Sequence, residues 1–297
     1  MNNIKQDFTI KDLENISGVK AHTIRIWEKR YNLLTPKRTE TNIRFYSNEN
    51  LQKLLNIVLL NNNNYKISKI AKMSDEELIL QSREMAFNSL NYDEVINSFK
   101  LAMFQFDKVL FNNTYNKLLL KMPFREVFKE VFIPFLDYIG LLWQTETLIP
   151  AHEHFISNLI AQKIQINTEK LQYNTTDSAK TYVLFLPENE IHELGLLYLN
   201  YELTLRGNNT IYLGQSLPFN NLEHFIKSDK EFCFITSMTI MPYDAKVAEY
   251  FKVIDVALKD TSHQLIATGS KTNLVEKVDF QSDIKLYKSI PDLLNDL

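Results

Sequence analysis

The hexapeptide Glu190-Ile191-His192-Glu193-Leu194-Gly195 sets a histidine two places after a carboxylate, just past an apolar run and just before a helical pattern. An imidazole so placed can present one ring nitrogen to a metal ion while a neighbouring acid holds the other and fixes the tautomer. His192 is the candidate ligand and Glu190 the candidate holder. Gly195 is followed, after 41 intervening residues, by Ser237-Met238-Thr239, and after 28 more by Thr268-Gly269, each closing an apolar run. Trp143 stands with nine residues between it and Glu153-His154. A different chemistry is offered near the start, where Arg25, Arg30, Lys37, Arg38 and Arg44 interleave with Tyr31 and Tyr46 and are suited to a phosphate backbone. No Walker-type loop, nucleophile elbow or paired-cysteine motif occurs, so independent nucleotide or hydrolase chemistry has no anchor.

The elements that must position His192 are read from periodicity. Predicted strands 181–186, 210–213, 232–237, 264–268 and 284–288 alternate with helices 194–206, 219–228, 243–259, a short one near 271–276 and a closing one from Pro291. Such alternation predicts a parallel, doubly wound sheet of Rossmann-like, flavodoxin-like form, and ligands bind such sheets beyond the carboxyl ends of the strands. His192 falls at that edge. The polar stretch 174–178 reads as a linker.

Upstream, the segment 76–173 reads as helical throughout, with no glycine before Gly140. Breaks near 88–91, 112–113, 122–123 and 145–150 predict a four-helix bundle with Phe99, Phe104, Phe128 and Phe135 in its core.

The first 75 residues have another character. Thr9 and Asp12 form a capping box, Gly18 breaks the first helix, and a second helix over 21–31 packs Ile24 and Trp27 while leaving Arg25, Lys29 and Arg30 available. Two short helices about a glycine turn predict a helix-turn-helix, and the polar stretch 36–46 suits a two-stranded wing. A third helix carries Leu51, Leu54, Leu55, Val58 and Leu59 on one face and ends at Asn61 to Asn64. A short helix over 66–73 and a Ser74/Glu77 cap follow.

Charge supports the division. Residues 1–74 carry +7 and the remainder −10, within a total of −3. A basic head on an acidic body points to a polyanionic partner. At 297 residues and 45% apolar content the chain is long enough for two or three domains. One cysteine, no apolar signal core and no uncharged apolar run near ~20 residues predict a cytoplasmic protein without membrane spans.

The run Thr23-Ile-Arg-Ile-Trp-Glu-Lys-Arg-Tyr31, then Leu33-Leu34-x-Pro36-x-Arg38, then Arg44-x-Tyr46, resembles the DNA-binding domain of MerR-type regulators, closest to their light- and cobalamin-responsive CarH/LitR branch. The resemblance implies that Arg25 contacts double-stranded promoter DNA from the recognition helix, while Arg38, Arg44 and Tyr46 grip its backbone. Glu190-x-His192-x-x-Gly195, Ser237-x-Thr239 and Thr268-Gly269 resemble the cobalamin-binding pattern DxHxxG, SxL, GG. It implies that His192 is the lower cobalt ligand and that the displaced nucleotide tail lies in a slot lined by Ser237 and the glycines Gly195 and Gly269. Leu213-Gly214-x-x-x-Pro218 is similar to a turn of the same regulators. Their Trp-x9-Glu-His signature matches Trp143, Glu153 and His154, which implies a Trp over the upper corrin face with Glu153 and His154 at the ligand's rim.

The chain departs from these patterns at four positions. Glu190 replaces Asp, Thr239 replaces Leu, Thr268 replaces the first Gly, and Gln144 stands where light-sensing members have a cobalt-capturing His. The expectation is a non-enzymatic regulator with segments 1–75, 76–173 and 179–297, sensing cobalamin, adenosylcobalamin foremost, and acting as a homodimer or homotetramer. One alternative keeps DNA binding and uses a degenerate tail only for oligomerisation or another ligand. A corrinoid-dependent methyltransferase subunit is a third reading, and the DNA-binding head argues against it.

Overall fold

The structure, a computed structural model, describes residues 7–39, 42–88, 92–144, 148–171, 181–275 and 278–297. It divides into two compact units, Met1–Leu159 and Ile160–Leu297.

In the first unit, β1 (Asp7–Thr9) leads directly into α1 (Ile10–Ser17), because Thr9 and Asp12 exchange the two hydrogen bonds of a capping box. Gly18, at φ 74°, closes α1 in the left-handed region and α2 (Ala21–Tyr31) follows. β2 (Lys37–Arg38) and β3 (Arg44–Ser47) make the wing, to which β1 adds a third antiparallel strand in the order β1-β3-β2. The head therefore has one strand more than the expected helix-turn-helix with a two-stranded wing. Phe8 supplies the reason, since pairing opposite Tyr46 buries both aromatic rings.

α3 (Asn48–Asn62) starts at the Ser47 cap and buries the five expected residues. It also buries Ile57 and Leu60, because α5 (Asp75–Asn88) and α6 (Tyr92–Gln105) pack against it as well. The short α4 (Ile67–Ile70) intervenes, and Ser74 and Glu77 cap α5 reciprocally. Sharing α3 joins the head and the helical segment in one unit, an arrangement a basic-head, acidic-body division does not suggest.

α7 (Lys108–Leu119) runs straight through Asn112 and Asn113, so the break expected there is absent. The chain turns instead at Phe106, φ 53°, and Asp107, whose side chain accepts the Leu110 amide and caps α7. α8 (Phe124–Val127) passes through one π-helical turn, Phe128–Phe132, into α9 (Ile133–Gln144). Pro134, without an amide hydrogen, explains the widened turn before it. Phe99, Phe111, Phe132 and Phe135 cluster with centroids 5.1–5.8 Å from Phe99 and fill the interior. α10 (Pro150–Glu169) crosses the boundary between the units.

The second unit alternates β4 (Thr181–Pro187), α11 (Leu194–Leu205), β5 (Asn209–Leu217), a 3-10 turn and short α12 (Glu223–Ile226), then β6 (Cys233–Ser237), α13 (Asp244–Leu258) and β7 (Gln264–Thr268). A 3-10 turn at Ser270–Leu274, β8 (Asp283–Tyr287) and α14 (Ile290–Asp296) complete it. The strands lie in the order β5-β4-β6-β7-β8, all parallel. β4 and β6 are buried along their whole lengths, as central strands covered on both faces must be. β5 reaches four residues beyond the expected 210–213, because Gly214 (φ 83°) and Ser216 (φ 56°) let it shift register against Phe185 and Pro187. The strand order reverses between β4 and β6, and the crevice beyond their carboxyl ends is where such a sheet binds ligands.

Candidate cofactor site and nucleic-acid interface

The loop leaving β4 bends at Asn189, φ 65°, and turns Glu190 inward until its side chain is completely buried. Glu190 Oε1 accepts the Ile191 amide at 2.9 Å, the His192 amide at 3.0 Å and His192 Nδ1 at 2.6 Å. Oε2 accepts the amides of Thr239, Ile240 and Met241, in the loop after β6, at 3.0, 2.7 and 2.9 Å. Burial alone would raise the carboxyl pKa; the His192 hydrogen bond and the Met241, Ile240 and His192 amides overcome it and hold Glu190 far below the usual carboxylate range. A charged Glu190 keeps the proton on Nδ1, so the lone pair of the imidazole is at Nε2, on a side chain 44% exposed. Ile191, Ile240 and Tyr243 stand exposed in the same two loops. A carboxylate-held imidazole rimmed by apolar groups fits a cobalt corrin ligated from below.

Thr239 shows why a departure from Leu is tolerated, since its amide binds Glu190 and its carbonyl accepts Ser270 Oγ at 3.0 Å. Backbone fixes the position. A Cβ at Gly269, φ +110°, would lie 2.4 Å from the Met238 carbonyl oxygen, so this glycine allows the loops after β6 and β7 to touch. A Cβ at Gly195 would lie 2.6 Å from Ile290 Cδ1 and 4.0 Å from Ser237 Oγ. Gly195 and Ser237 are thus neighbours, and Ile290 fills the notch at Gly195. Ser237 is buried, and fully buried Thr268 has an Oγ1 without a hydrogen-bond partner among the described residues. Sequence reasoning missed the three amides on Glu190 and the Ile290 contact. The amides follow directly on Ser237-x-Thr239, but no side-chain type marks them.

In the first unit, Trp143 and Gln144 close α9, and their side chains lie outside the described ones. Glu153 Oε1 accepts Ser157 Oγ at 2.7 Å, and its Oε2 lies 3.4 Å from Nε2 of exposed His154. His152, between them and the start of α10, is enclosed by Phe104 and Phe106 with ring centroids at 5.0 and 4.8 Å. Neither of its ring nitrogens has a partner among the described residues, and burial pushes its pKa down to about 4.

In the head, Arg25, Arg30, Lys37 and Arg38 are exposed, and Arg30 lies over half-buried Tyr31. Arg38 donates to Asn42 Oδ1 at 2.6 Å, across the tip of the wing. Arg44 and Tyr46 are engaged elsewhere. Arg44 Nε donates to Glu28 Oε1 at 2.9 Å and Tyr46 Oη to Glu28 Oε2 at 3.0 Å, tying β3 to α2. Tyr46 is fully buried, and burial and then Glu28 raise its pKa. It holds the wing in place and presents no edge of its own to a partner.

The family description "MerR HTH family regulatory protein" matches residues 8–77, and "B12 binding domain" matches residues 95–166. The HTH-type transcriptional repressor CarH of Myxococcus xanthus is 27% identical over 224 residues, which cover 73% of this chain and 74% of that protein. The HTH-type transcriptional repressor CarA of the same organism is 24% identical over 220 residues, covering 70% and 68%. The fold is shared with a monomethylamine corrinoid protein of Methanosarcina barkeri at TM-score 0.57 and 11% identity, over 69% of this chain and 98% of that one. Among the described residues no helix is long and apolar enough to cross a membrane. With a MerR helix-turn-helix at its head, a B12-binding region behind it and a parallel-sheet unit that bears a carboxylate-held histidine, the chain is a transcriptional regulator similar to CarH.

Proposed function

We propose that this regulator acts in the cytoplasm on double-stranded promoter DNA and that cobalamin, adenosylcobalamin foremost, controls its homo-oligomeric state and thereby its operator affinity. It works as a regulator and not as an enzyme. Residues 1–75 bind DNA, and segments 76–173 and 179–297 each carry residues that would contact the cofactor. The observation that carries the reading is the buried Glu190 carboxylate, which orients His192 and keeps the lone pair on Nε2. His192 would supply the imidazole that holds the cobalt. Glu190 locks the tautomer and, through the amides of residues 239–241, ties the loops after β4 and β6 together. Trp143, Glu153 and His154 would be cofactor contacts in the helical segment, and Gly195, Ser237 and Gly269 would be cofactor contacts in the sheet unit. Bound adenosylcobalamin supplies a cobalt–carbon bond that green light breaks, a property of the cofactor. Gln144, where light-sensing members have a histidine, would offer no imidazole to hold the cofactor once that bond is broken, so illuminated wild type would retain cobalamin less firmly than a Gln144→His variant. Assembly raises the number of half-sites engaged at high effective concentration, which couples loading to DNA affinity.

The test is the visible spectrum of the protein with adenosylcobalamin in the dark, read with co-elution on gel filtration. Wild type gives the shift of imidazole coordination and His192→Ala does not. A spectrum identical to the free cofactor with no co-elution favours the second reading, a tail used for oligomerisation alone. Buried Thr268 in place of glycine and Ile290 in the Gly195 notch speak for that reading.

A further inference from the structure

α2 divides cleanly into two sides. At ~100° per residue, His22, Arg25, Ile26, Lys29 and Arg30 fall on one face, and all five are exposed. Ile24 and Trp27 fall on the other and are buried, while Glu28 is occupied by Arg44 and Tyr46. Ile26 lies in the middle of the outward face with 49% of its surface open, a β-branched apolar side chain ringed by His22, Arg25, Lys29 and Arg30. A face of this composition is complementary to a polyanion that offers one apolar spot among its polar edges. In the major groove that spot is the 5-methyl group of thymine, the apolar group on the base edges there.

We propose that Ile26 is a specificity-determining residue that packs on a thymine methyl group when α2 enters the major groove. The inference rests on the DNA-binding reading of the head. His22, one turn earlier, and Lys29 and Arg30, one turn later, bracket the contact and supply the polar part of recognition. Because Ile26 contributes little to the core of the head, its truncation leaves the fold intact while removing the contact.

The experiment uses the full-length protein and an operator that it selects from a random DNA library. Each thymine is then replaced singly by deoxyuridine, which differs only in the missing methyl, and the Kd is measured for wild type and Ile26→Ala by fluorescence anisotropy. Loss of one buried methyl weakens wild-type binding about fourfold at one thymine of each half-site. Ile26→Ala binds the thymine operator more weakly and is indifferent to deoxyuridine at that position. Equal effects of every replacement on both proteins overturn the proposal, as does the absence of any effect on wild type. An Ile26→Ala variant that changes only the oligomeric state places the residue at a protein contact and overturns it too. Failure to select any operator is a separate result, since it overturns the DNA-binding reading itself.

Discussion

Glu190 Oε2 accepts the Met241 amide at 2.9 Å across 51 residues of chain, so one carboxylate holds both loops of the switch-point crevice. Its other oxygen holds His192.

Glu190→Gln should therefore do more than loosen an imidazole. The amide group offers one acceptor where six hydrogen bonds converge, and it turns a donor toward N–H groups that already donate. A loss of about 2–4 kcal/mol is expected in urea unfolding of the cofactor-free protein. An unchanged urea midpoint would show that the loops keep their positions without the carboxylate.

His152 is the opposite case, a buried polar ring with no partner for either nitrogen among the described residues. Its pKa in the folded protein is pushed down to about 4 by burial, below the ~6.5 of an unfolded histidine. Above pH ~6.5 neither state takes up a proton, and the group adds no pH dependence. As pH falls from ~6.5 toward 4 the unfolded state gains a proton that the folded state refuses, so stability drops by up to ~1.4 kcal/mol per pH unit. His152→Leu should remove that decline and add about 1 kcal/mol at neutral pH. Urea midpoints at pH 7.5 and 5 for both proteins check this, and parallel losses would count against it.

The two wing residues tied to Glu28 should separate from the exposed ones. Lys37→Ala should reduce the slope of log K against log salt by about 0.9 without changing stability, as the loss of one phosphate contact does. Tyr46→Phe should leave the slope alone and cost the head about 1 kcal/mol through the lost Glu28 hydrogen bond. Anisotropy titrations at several salt concentrations, with thermal melts, distinguish the two. A slope change in Tyr46→Phe would return that hydroxyl to the DNA contact.

Ile290→Ala should open the notch at Gly195. The cofactor-free protein is expected to lose about 1 kcal/mol, in keeping with a half-buried side chain, while adenosylcobalamin associates faster in stopped flow. Slower association would mean that Ile290 supports the bound tail and does not stand in its place.

Much of the fold was legible because its signals are local. Each predicted strand of the sheet exists within a few residues, since a buried parallel strand must read as an apolar run and the helices between must read at period 3.6. The Thr9/Asp12 and Ser74/Glu77 caps were readable for the same reason, both partners being three residues apart. The turn at Phe106 was hidden, because an aromatic at φ 53° follows no local preference and is imposed by packing against His152 and Phe155.

At the site the sequence alone determined the pairing of Glu190 with His192, since two residues of separation at a strand end put a carboxylate within reach of the ring. Only the tertiary structure decided that the same carboxylate gathers the amides of Thr239, Ile240 and Met241, that Glu28 takes Arg44 and Tyr46 for the wing, and that Ile290 fills the space beside Gly195. Backbone amides carry no residue signature and contacts between distant segments no spacing. They become visible once strand order and burial bring the segments together.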